Sequence, residues 1–169
     1  MNIIFHTTAA IGIAVLLTER NEIDNSPNIK NVFEASIFAF TLGIISHGVL
    51  DYIPHCYPIN SKFDVILGLI IIITTTFWAN INYRPVIVLS FIGSIFPDLV
   101  DLLPNIINKQ FGFHLLIVNK VFPWHWSNYS GSIYRNDCNV STMNHVLLIL
   151  TVGIICWNKR NVIKQIFRW

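Results

Sequence analysis

The sequence predicts an all-α membrane protein, a multi-span bundle of about four or five apolar helices with a histidine and aspartate site at one end. Three observations support this fold class. Hydrophobic residues make up 53% of the 169 residues and charged residues only 12%, against about 25% charged in a typical soluble chain. The mean hydropathy is +0.56. Apolar segments of helical length recur along the chain, and several contain ionisable residues, which rarely enter a membrane without a function.

The first three apolar segments have different lengths and endings. Segment 3–18 is short for a span of about 20 residues, so it tilts, lies partly in the interface, or packs inside the bundle. Segment 32–53 is long enough to cross a bilayer, and Pro54 ends it because proline cannot continue a helix. Segment 64–80 carries no charge after Asp64, which is typical of a spanning or fully buried helix.

The remaining segments are less regular. Segment 86–103 is interrupted by Pro97, so the helix kinks there or a new short turn starts with Asp98. Broken helices at membrane depth are tolerated where they line a cavity or a site. Segment 144–157 forms the last predicted helix, and the residues before it, 104–143, form a long polar region without a spanning pattern.

This organisation predicts one membrane-embedded helical domain over 1–157, followed by a basic C-terminal tail over 158–169. A polar loop over 19–31 joins the first two helices. The net charge of +2 is too small to indicate a nucleic-acid partner,. The expected partner is the lipid bilayer, and no protein partner is indicated.

The stretch 44–55 carries the most informative pattern. His47 and Asp51 are four residues apart, so on a helix they share a face with Cβ atoms about 5–6 Å apart. A carboxylate in apolar surroundings requires a cation, a metal or a proton. A second apolar stretch contains Asp98 and Asp101. Of the nine acidic residues, only these three lie inside apolar segments.

Chain topology brings these residues together. If the five apolar segments run up and down through the bundle, all the histidines and the three aspartates fall on one side. They are His6, His47, Asp51, His55, Asp98, Asp101, His114, His125 and His145. The pattern therefore predicts a single polar site at one end of the bundle.

Histidine and aspartate are ligands for zinc and similar divalent metals, and no pair of closely spaced cysteines competes for that role. We therefore predict a divalent metal, with zinc as the first candidate. Several carboxylates also suit two metals that share a bridging aspartate. Asp98 and Asp101 are the candidate catalytic residues, because one of them can orient the attacking water or act as general base. The predicted metal ligands are His6, His47, Asp51, His55, Asp98, Asp101 and His125.

Each candidate also has a purely structural interpretation. His6 can be a buried, hydrogen-bonded histidine, and His47 can hold Asp51 in a simple hydrogen bond. Asp98 and Asp101 can cap a helix after Pro97. His55 can be an interfacial histidine, and His125 can be an aromatic-belt residue. His114 and His145 can be packing histidines.

The motifs resemble those of the YdjM-like family of inner-membrane metal-dependent hydrolases. The resemblance covers roughly residues 3–126, and its second element, around Pro97, is the more specific. It comprises a histidine in an apolar first helix (His6), the pattern SHxxLDxxPH over 46–55, the pattern GSxxPDxxD over 93–101, and the pair His125-Trp126. The resemblance implies a bacterial inner-membrane location and a metal or active-site role for His6, His47, Asp51, Asp98 and Asp101. Members often carry adjacent histidines before the histidine–tryptophan pair, whereas here His114 stands alone.

The leading functional hypothesis is metal-assisted hydrolysis of an ester or phosphoester, with a small molecule or a lipid as substrate. The alternative is a transporter or a conduit for protons or metal ions that uses intramembrane histidine and aspartate. A conduit would spread ionisable groups across the membrane depth, whereas a site gathers them at one end. A third reading is a metal that only holds the helices together.

The distribution of basic residues and the cysteines predict how the bundle is oriented in the membrane. Alternate loops divide the eleven lysines and arginines seven to four, with the larger group on the side of the C-terminal tail. The positive-inside rule then places the predicted site on the outer face. A disulfide between Cys56 and Cys138 would be compatible with such a compartment.

Overall fold

The structure, a computed structural model, describes residues 1–18, 29–117, 119–133 and 138–167, with the side chains of 29 and 30 left out. The regular structure in these ranges is helical, which confirms the predicted all-α fold. The α-helices are α1 Ile3–Leu17, α2 Ile29–Tyr52, α3 Ser61–Trp78, α4 Arg84–Asp101, α5 Leu103–Phe111, α6 Asn139–Asn158 and α7 Arg160–Ile166, and a 3₁₀ turn covers Pro123–His125. Most of the predicted loop over 19–31, and residues 168 and 169 of the tail, lie outside the described residues.

Among the described helices, three are long and apolar enough to cross a membrane: Asn31–Tyr52 within α2, Ser61–Trp78 and Asn139–Asn158. Helices α4 and α5 form a fourth candidate if they are one span, bent by 58° between them. These lengths and compositions are those of a membrane protein, as the sequence predicts.

Helix α1 lies inside the bundle, which decides among its three predicted placements. It contacts α2, α3, α4 and α6, and small residues along it allow these neighbours to approach closely. The small residues Ala9, Ala10 and Ala14 are buried. A Cβ at Gly12 would lie 3.0 Å from the side chain of Val152 on α6. A short apolar helix thus serves as the centre around which the longer helices pack.

Helices α2 and α4 lie in close backbone contact. A Cβ at Gly93 would lie 2.2 Å from the carbonyl oxygen of Phe40, and one at Gly43 would lie 2.7 Å from the backbone nitrogen of Ser94. Contacts this short mean that only glycine fits at these two positions. The close approach holds the last turns of α2 against the last turns of α4, where the predicted His/Asp patterns lie.

The break in the fourth helix lies five residues beyond Pro97, where it was predicted. Helix α4 continues through Pro97 and ends at Asp101. The bend follows at Leu102, where α5 begins and continues into the region predicted as polar loop. Pro97 is tolerated because the only hydrogen bond it removes is the one its missing N–H would make to the preceding turn.

The end of the bundle opposite the predicted site is apolar. Val86, Ile87 and Phe91 of α4 pack there with Val162 and Ile166 of α7. The predicted basic tail therefore contains a short helix that packs onto the bundle. At the other end, Cys56 and Cys138 form a disulfide that joins the segment after α2 to the start of α6.

Candidate metal centre

Three parts of the fold bring four candidate ligands together. His47 and Asp51 project from the last two turns of α2, Asp98 from the end of α4, and His125 from the 3₁₀ turn. One ligand atom from each lies within 4.8 Å of the others, so this group can hold a metal ion. His47, Asp51 and His125 are buried, and the Asp98 side chain is 21% exposed.

Hydrogen bonds on the far side of each imidazole orient the two histidines. His47 Nδ1 lies 2.7 Å from the carbonyl oxygen of Ser94, which can only accept, so His47 Nδ1 donates. His125 Nδ1 likewise donates to Asp101 Oδ2 at 2.8 Å. In the neutral rings both Nε2 atoms therefore carry lone pairs that face the centre of the group. A hydrogen bond donated by the opposite ring nitrogen to a carbonyl or a carboxylate is typical of metal-binding histidines.

The distances between ligand atoms match those around a tetrahedral ion. His47 Nε2 lies 3.3 Å from Asp51 Oδ2 and 3.3 Å from His125 Nε2, and 3.6 Å from Asp98 Oδ1. His125 Nε2 lies 3.3 Å from both Asp51 Oδ2 and Asp98 Oδ1. Zinc with ligands at about 2.0–2.1 Å would separate them by about 3.3–3.4 Å. A single cation between these atoms would contact all four of them.

Asp101 lies behind His125. Its oxygens accept hydrogen bonds from the backbone N–H groups of Val121 and Phe122, at 2.8 and 3.0 Å, besides the bond from His125. Its side chain is only 1% exposed. Asp101 therefore anchors the 121–125 segment and sets the orientation of His125.

The segment around His125 is held by two further contacts. Lys120 Nζ donates to the carbonyl oxygen of His125 at 2.6 Å, and Trp126 Nε1 donates to the carbonyl oxygen of Lys120 at 2.9 Å. The ring of Trp124 packs on Gly48, where an added Cβ would lie 2.8 Å from it. A glycine next to His47 thus lets the aromatic segment approach α2.

His6 faces the other oxygen of Asp51. Its Nε2 lies 3.3 Å from Asp51 Oδ1, and its ring stacks on His47 with centroids 4.0 Å apart. The side chain is completely buried, and within the described chain neither ring nitrogen has a hydrogen-bond partner. His6 therefore lies beside the four-residue group, in contact with its carboxylate.

His55 closes one side of the site. Its Nδ1 donates to the carbonyl oxygen of Ile53, and its Nε2 lies 2.8 Å from the amino group of Met1, which also contacts Asp51. Burial and the nearby amino group lower the pKa of His55 to about 4, so the ring is neutral and accepts. Gly131 pairs with the backbone here, and a Cβ on it would lie 2.1 Å from the oxygen of Ile53.

A small polar cavity of about 160 Å³ opens beside the site. Asp51, Asp98 and His125 expose part of their surface to it, and Lys120 contributes a cationic side chain. The other lining residues are Met1, Tyr57, Leu102, Ser130 and Ser132. A ligand in this cavity would contact both the carboxylates and the lysine.

The charge of His125 shows how the site is balanced without a metal. Burial lowers the pKa of His125, but hydrogen bonds to the three aspartates of the site outweigh burial and raise the pKa to about 10. A proton on His125 then provides the positive charge that the carboxylates require. A metal and this proton compete for the same nitrogen.

The remaining predicted residues lie elsewhere or act differently. His145 is buried and stacks on Phe5 with ring centroids 3.8 Å apart, and His114 lies in an exposed loop. Neither belongs to the four-residue group. Sequence reasoning missed the buried Asp64, which accepts hydrogen bonds from the backbone N–H groups of Ile3 and Ile4. An acidic residue at the start of an apolar run could have indicated this capping role for a neighbouring helix.

Comparisons with known proteins add no name to this site. No family model, no curated protein and no solved structure matches the chain.

Proposed function

We propose that this protein is a membrane-bound, metal-dependent hydrolase of phosphoesters. The observation that carries the proposal is the set of four converging ligand atoms from His47, Asp51, Asp98 and His125. A bound divalent ion, with zinc as the first candidate, would lower the pKa of a water molecule to about 7 and polarise a phosphoryl oxygen.

Electrostatics support a divalent ion in this group. Asp51 and Asp98 together carry two negative charges, and a dication neutralises both in an environment where unpaired charge is costly. The two imidazoles bind as neutral ligands, which their Nδ1 hydrogen bonds to Ser94 and Asp101 favour. The ligand set is therefore electrically balanced when it holds one dication.

The polar cavity supports a phosphoester rather than a neutral ester as substrate. Lys120 lines the cavity beside Asp98 and His125, and an ammonium group binds phosphate oxygens as a point charge. Ser130 and Ser132 provide hydroxyl groups on the same wall. An anionic phosphoryl group would be held between Lys120 and the metal ligands.

The two candidate catalytic aspartates have different positions. If His47, Asp51 and His125 held the ion, its fourth position would be open to water, and Asp98, which lines the cavity with part of its side chain exposed, would accept the proton of that water,. Both oxygens of Asp101 are engaged by backbone N–H groups and His125. We therefore assign the general-base role to Asp98 and a positioning role to Asp101.

The ion-conduit alternative has less support from the described residues. The ionisable groups of the site cluster at one end of the bundle, and the interior beyond them is formed by Ala10, Ala14 and Phe91. A conduit requires polar groups along its length. Ionisable groups gathered at one end of the bundle beside a polar cavity therefore support an enzyme over a conduit.

Metal content tests the proposal directly. Protein purified in detergent without chelators is analysed by elemental mass spectrometry, alongside the double variant His47→Ala/Asp51→Ala. We expect close to one divalent ion per chain in the wild type and none in the variant, because two of the four ligands are removed. Hydrolysis of soluble phosphoesters is then measured with zinc and with manganese.

A matched control separates ligand loss from general damage. His114→Ala removes a histidine from an exposed loop outside the group and should retain both the metal and the activity. Wild-type protein without bound metal would overturn the proposal. Metal bound without hydrolysis of any phosphoester, together with impaired folding in Asp98→Asn, would instead favour a structural metal, whereas retained folding with lost activity would speak against one.

A further inference from the structure

A second, larger cavity lies on the other side of the His125 segment. Its volume is about 480 Å³, within the range of about 300–1,000 Å³ that small-molecule sites occupy. One wall is α2 and the other is the aromatic segment after α5. The lining residues are Ile44, Ile45, Gly48, Val49, Tyr52, Pro123, Trp124 and Tyr129. We call this cavity the α2 groove.

The α2 groove is apolar and open to the outside of the bundle. Ile45, Val49 and Tyr52 are 53%, 55% and 64% exposed, and they lie on a helix long enough to span the membrane. An apolar cavity of this kind does not hold ordered water. In a bilayer its surroundings are hydrocarbon, so its natural occupant is an apolar chain.

The direction of the groove relates it to the metal site. The lining positions run from Ile44 to Tyr52, which is about 12 Å along α2 at about 1.5 Å per residue. The Tyr52 end is the end of α2 that carries Asp51, and the Ile44 end lies deeper in the bundle. A hydrocarbon chain bound in the groove would therefore have the end nearer Tyr52 at the level of the metal ligands.

The groove and the polar cavity share one wall. Trp124 and Tyr129 line the groove, whereas their neighbours in sequence, His125 and Ser130, line the polar cavity. Likewise, Tyr52 lines the groove and Asp51 lines the polar cavity. A molecule with a polar head and an apolar tail that reached around this wall would place its head beside Lys120 and its tail against α2.

We propose that the substrate is an amphiphilic phosphoester whose hydrocarbon chain binds in the α2 groove while its phosphate lies between Lys120 and the metal ligands. This rests on the proposed function and names its substrate class. Specificity for a membrane lipid then comes from α2 itself. The groove requires glycine at position 48, because any larger residue would displace Trp124 from the groove wall.

A groove-filling substitution tests the assignment through substrate dependence. Val49→Trp is compared with Ile73→Trp, which changes an equally exposed residue on α3 away from the groove. Turnover is measured with long-chain phosphatidic acid in phosphatidylcholine vesicles and with glycerol 3-phosphate, which has the same phosphate without chains.

We expect Val49→Trp to lower kcat/KM for the lipid by roughly tenfold or more, since each lost methylene contact weakens binding several-fold. The loss on glycerol 3-phosphate should be much smaller than the loss on the lipid, and Ile73→Trp should match the wild type throughout. An equal loss on both substrates would overturn the proposal.

A binding measurement keeps the groove testable if neither substrate is turned over. Phosphatidic acid with a photoreactive diazirine in its acyl chain is incorporated in the same vesicles, and cross-linked peptides are mapped. Labelling within 44–52 and 123–129 that Val49→Trp abolishes and Ile73→Trp retains would support the chain-binding groove even where the hydrolase proposal fails. Labelling spread evenly over the spanning helices would overturn it. So would a wild-type dimer that Val49→Trp converts to a monomer, because the groove would then be a protein interface.

Discussion

At the scale of single residues, the site depends on side chains that do not themselves face the metal position. Ser94 and Asp101 each accept a hydrogen bond from the Nδ1 atom of a histidine, and in doing so they select the tautomer whose Nε2 can bind a metal. A backbone carbonyl orients His47, and a side-chain carboxylate orients His125. Of these two partners, only the carboxylate can be changed by a substitution.

Asp101→Asn is expected to weaken metal binding without removing a ligand. An amide replaces one of the two acceptor oxygens of Asp101 with an NH2 group, so at least one of its three hydrogen bonds is lost, and either His125 loses its orientation or the 121–122 backbone loses its anchor,. Changes to such supporting groups typically cost about 10–100-fold in metal affinity. Competition of the purified protein against a zinc-binding dye measures the effect.

Asp64→Asn is the matched control for this substitution. Asp64 is also buried and also accepts two backbone N–H bonds, but it caps α1 and is not a member of the four-residue group. Its variant should melt at a lower temperature and bind zinc as the wild type does. Unchanged zinc affinity in Asp101→Asn would contradict the positioning role.

At the scale of the helices, the close approach of α2 and α4 assembles the site. Gly43 and Gly93 allow backbone contact between the two helices, and the contact brings Asp98 to His47 and Asp51. The Pro97 turn contributes as well, because the carbonyl of Ser94 in that turn accepts from His47. Ligands from two helices meet only if the helices are in this register and at this distance.

Gly93→Ala is expected to separate α2 from α4. The added Cβ would overlap the Phe40 carbonyl, and such overpacking typically costs about 1–3 kcal/mol. Metal content should fall together with the melting temperature, which circular dichroism in detergent reports. Gly153→Ala on α6 is the control, because its Cβ would have no neighbour within 4 Å. Gly153→Ala should be neutral or slightly stabilising, and an equal loss in both variants would argue against the close-contact explanation.

At the scale of the whole molecule, the disulfide indicates which membrane face carries the site. Cys56 follows His55 directly and pairs with Cys138, and disulfides persist in oxidising compartments. The positive-inside count of seven basic residues against four agrees with an outer position for this end. We therefore propose that the metal site faces the outside of the cell membrane.

Thiol labelling in intact cells tests this orientation. A membrane-impermeant maleimide should label Cys56 and Cys138 only after an impermeant reductant has opened the disulfide. The free Cys156 lies on α6 about 27 Å further along the helix from Cys138, and it should react only after permeabilisation. Labelling of Cys56 and Cys138 without reductant, or only in permeabilised cells, would contradict the outer location.

Several features of the site were predictable from the sequence because they depend on local periodicity. The spacing of His47 and Asp51 places both on one face of α2, and apolar runs identify the spanning helices within a few residues. The break near Asp98 was expected at Pro97 and occurs at Leu102 instead, since a proline weakens a helix without having to end it. Helix ends depend on what packs against them, and a single sequence does not contain that information.

The sequence alone thus determined the fold class, the membrane setting and the convergence of histidine and aspartate at one end. These follow from composition and from the 3.6-residue period, which are properties of the chain itself. The tertiary structure decided which residues converge and which support them: Asp101 holds His125 from behind, His6 lies at the second oxygen of Asp51, and an apolar groove adjoins the polar cavity. Each of these depends on the distance and rotation between separate helices and loops, which long-range packing sets and local pattern does not.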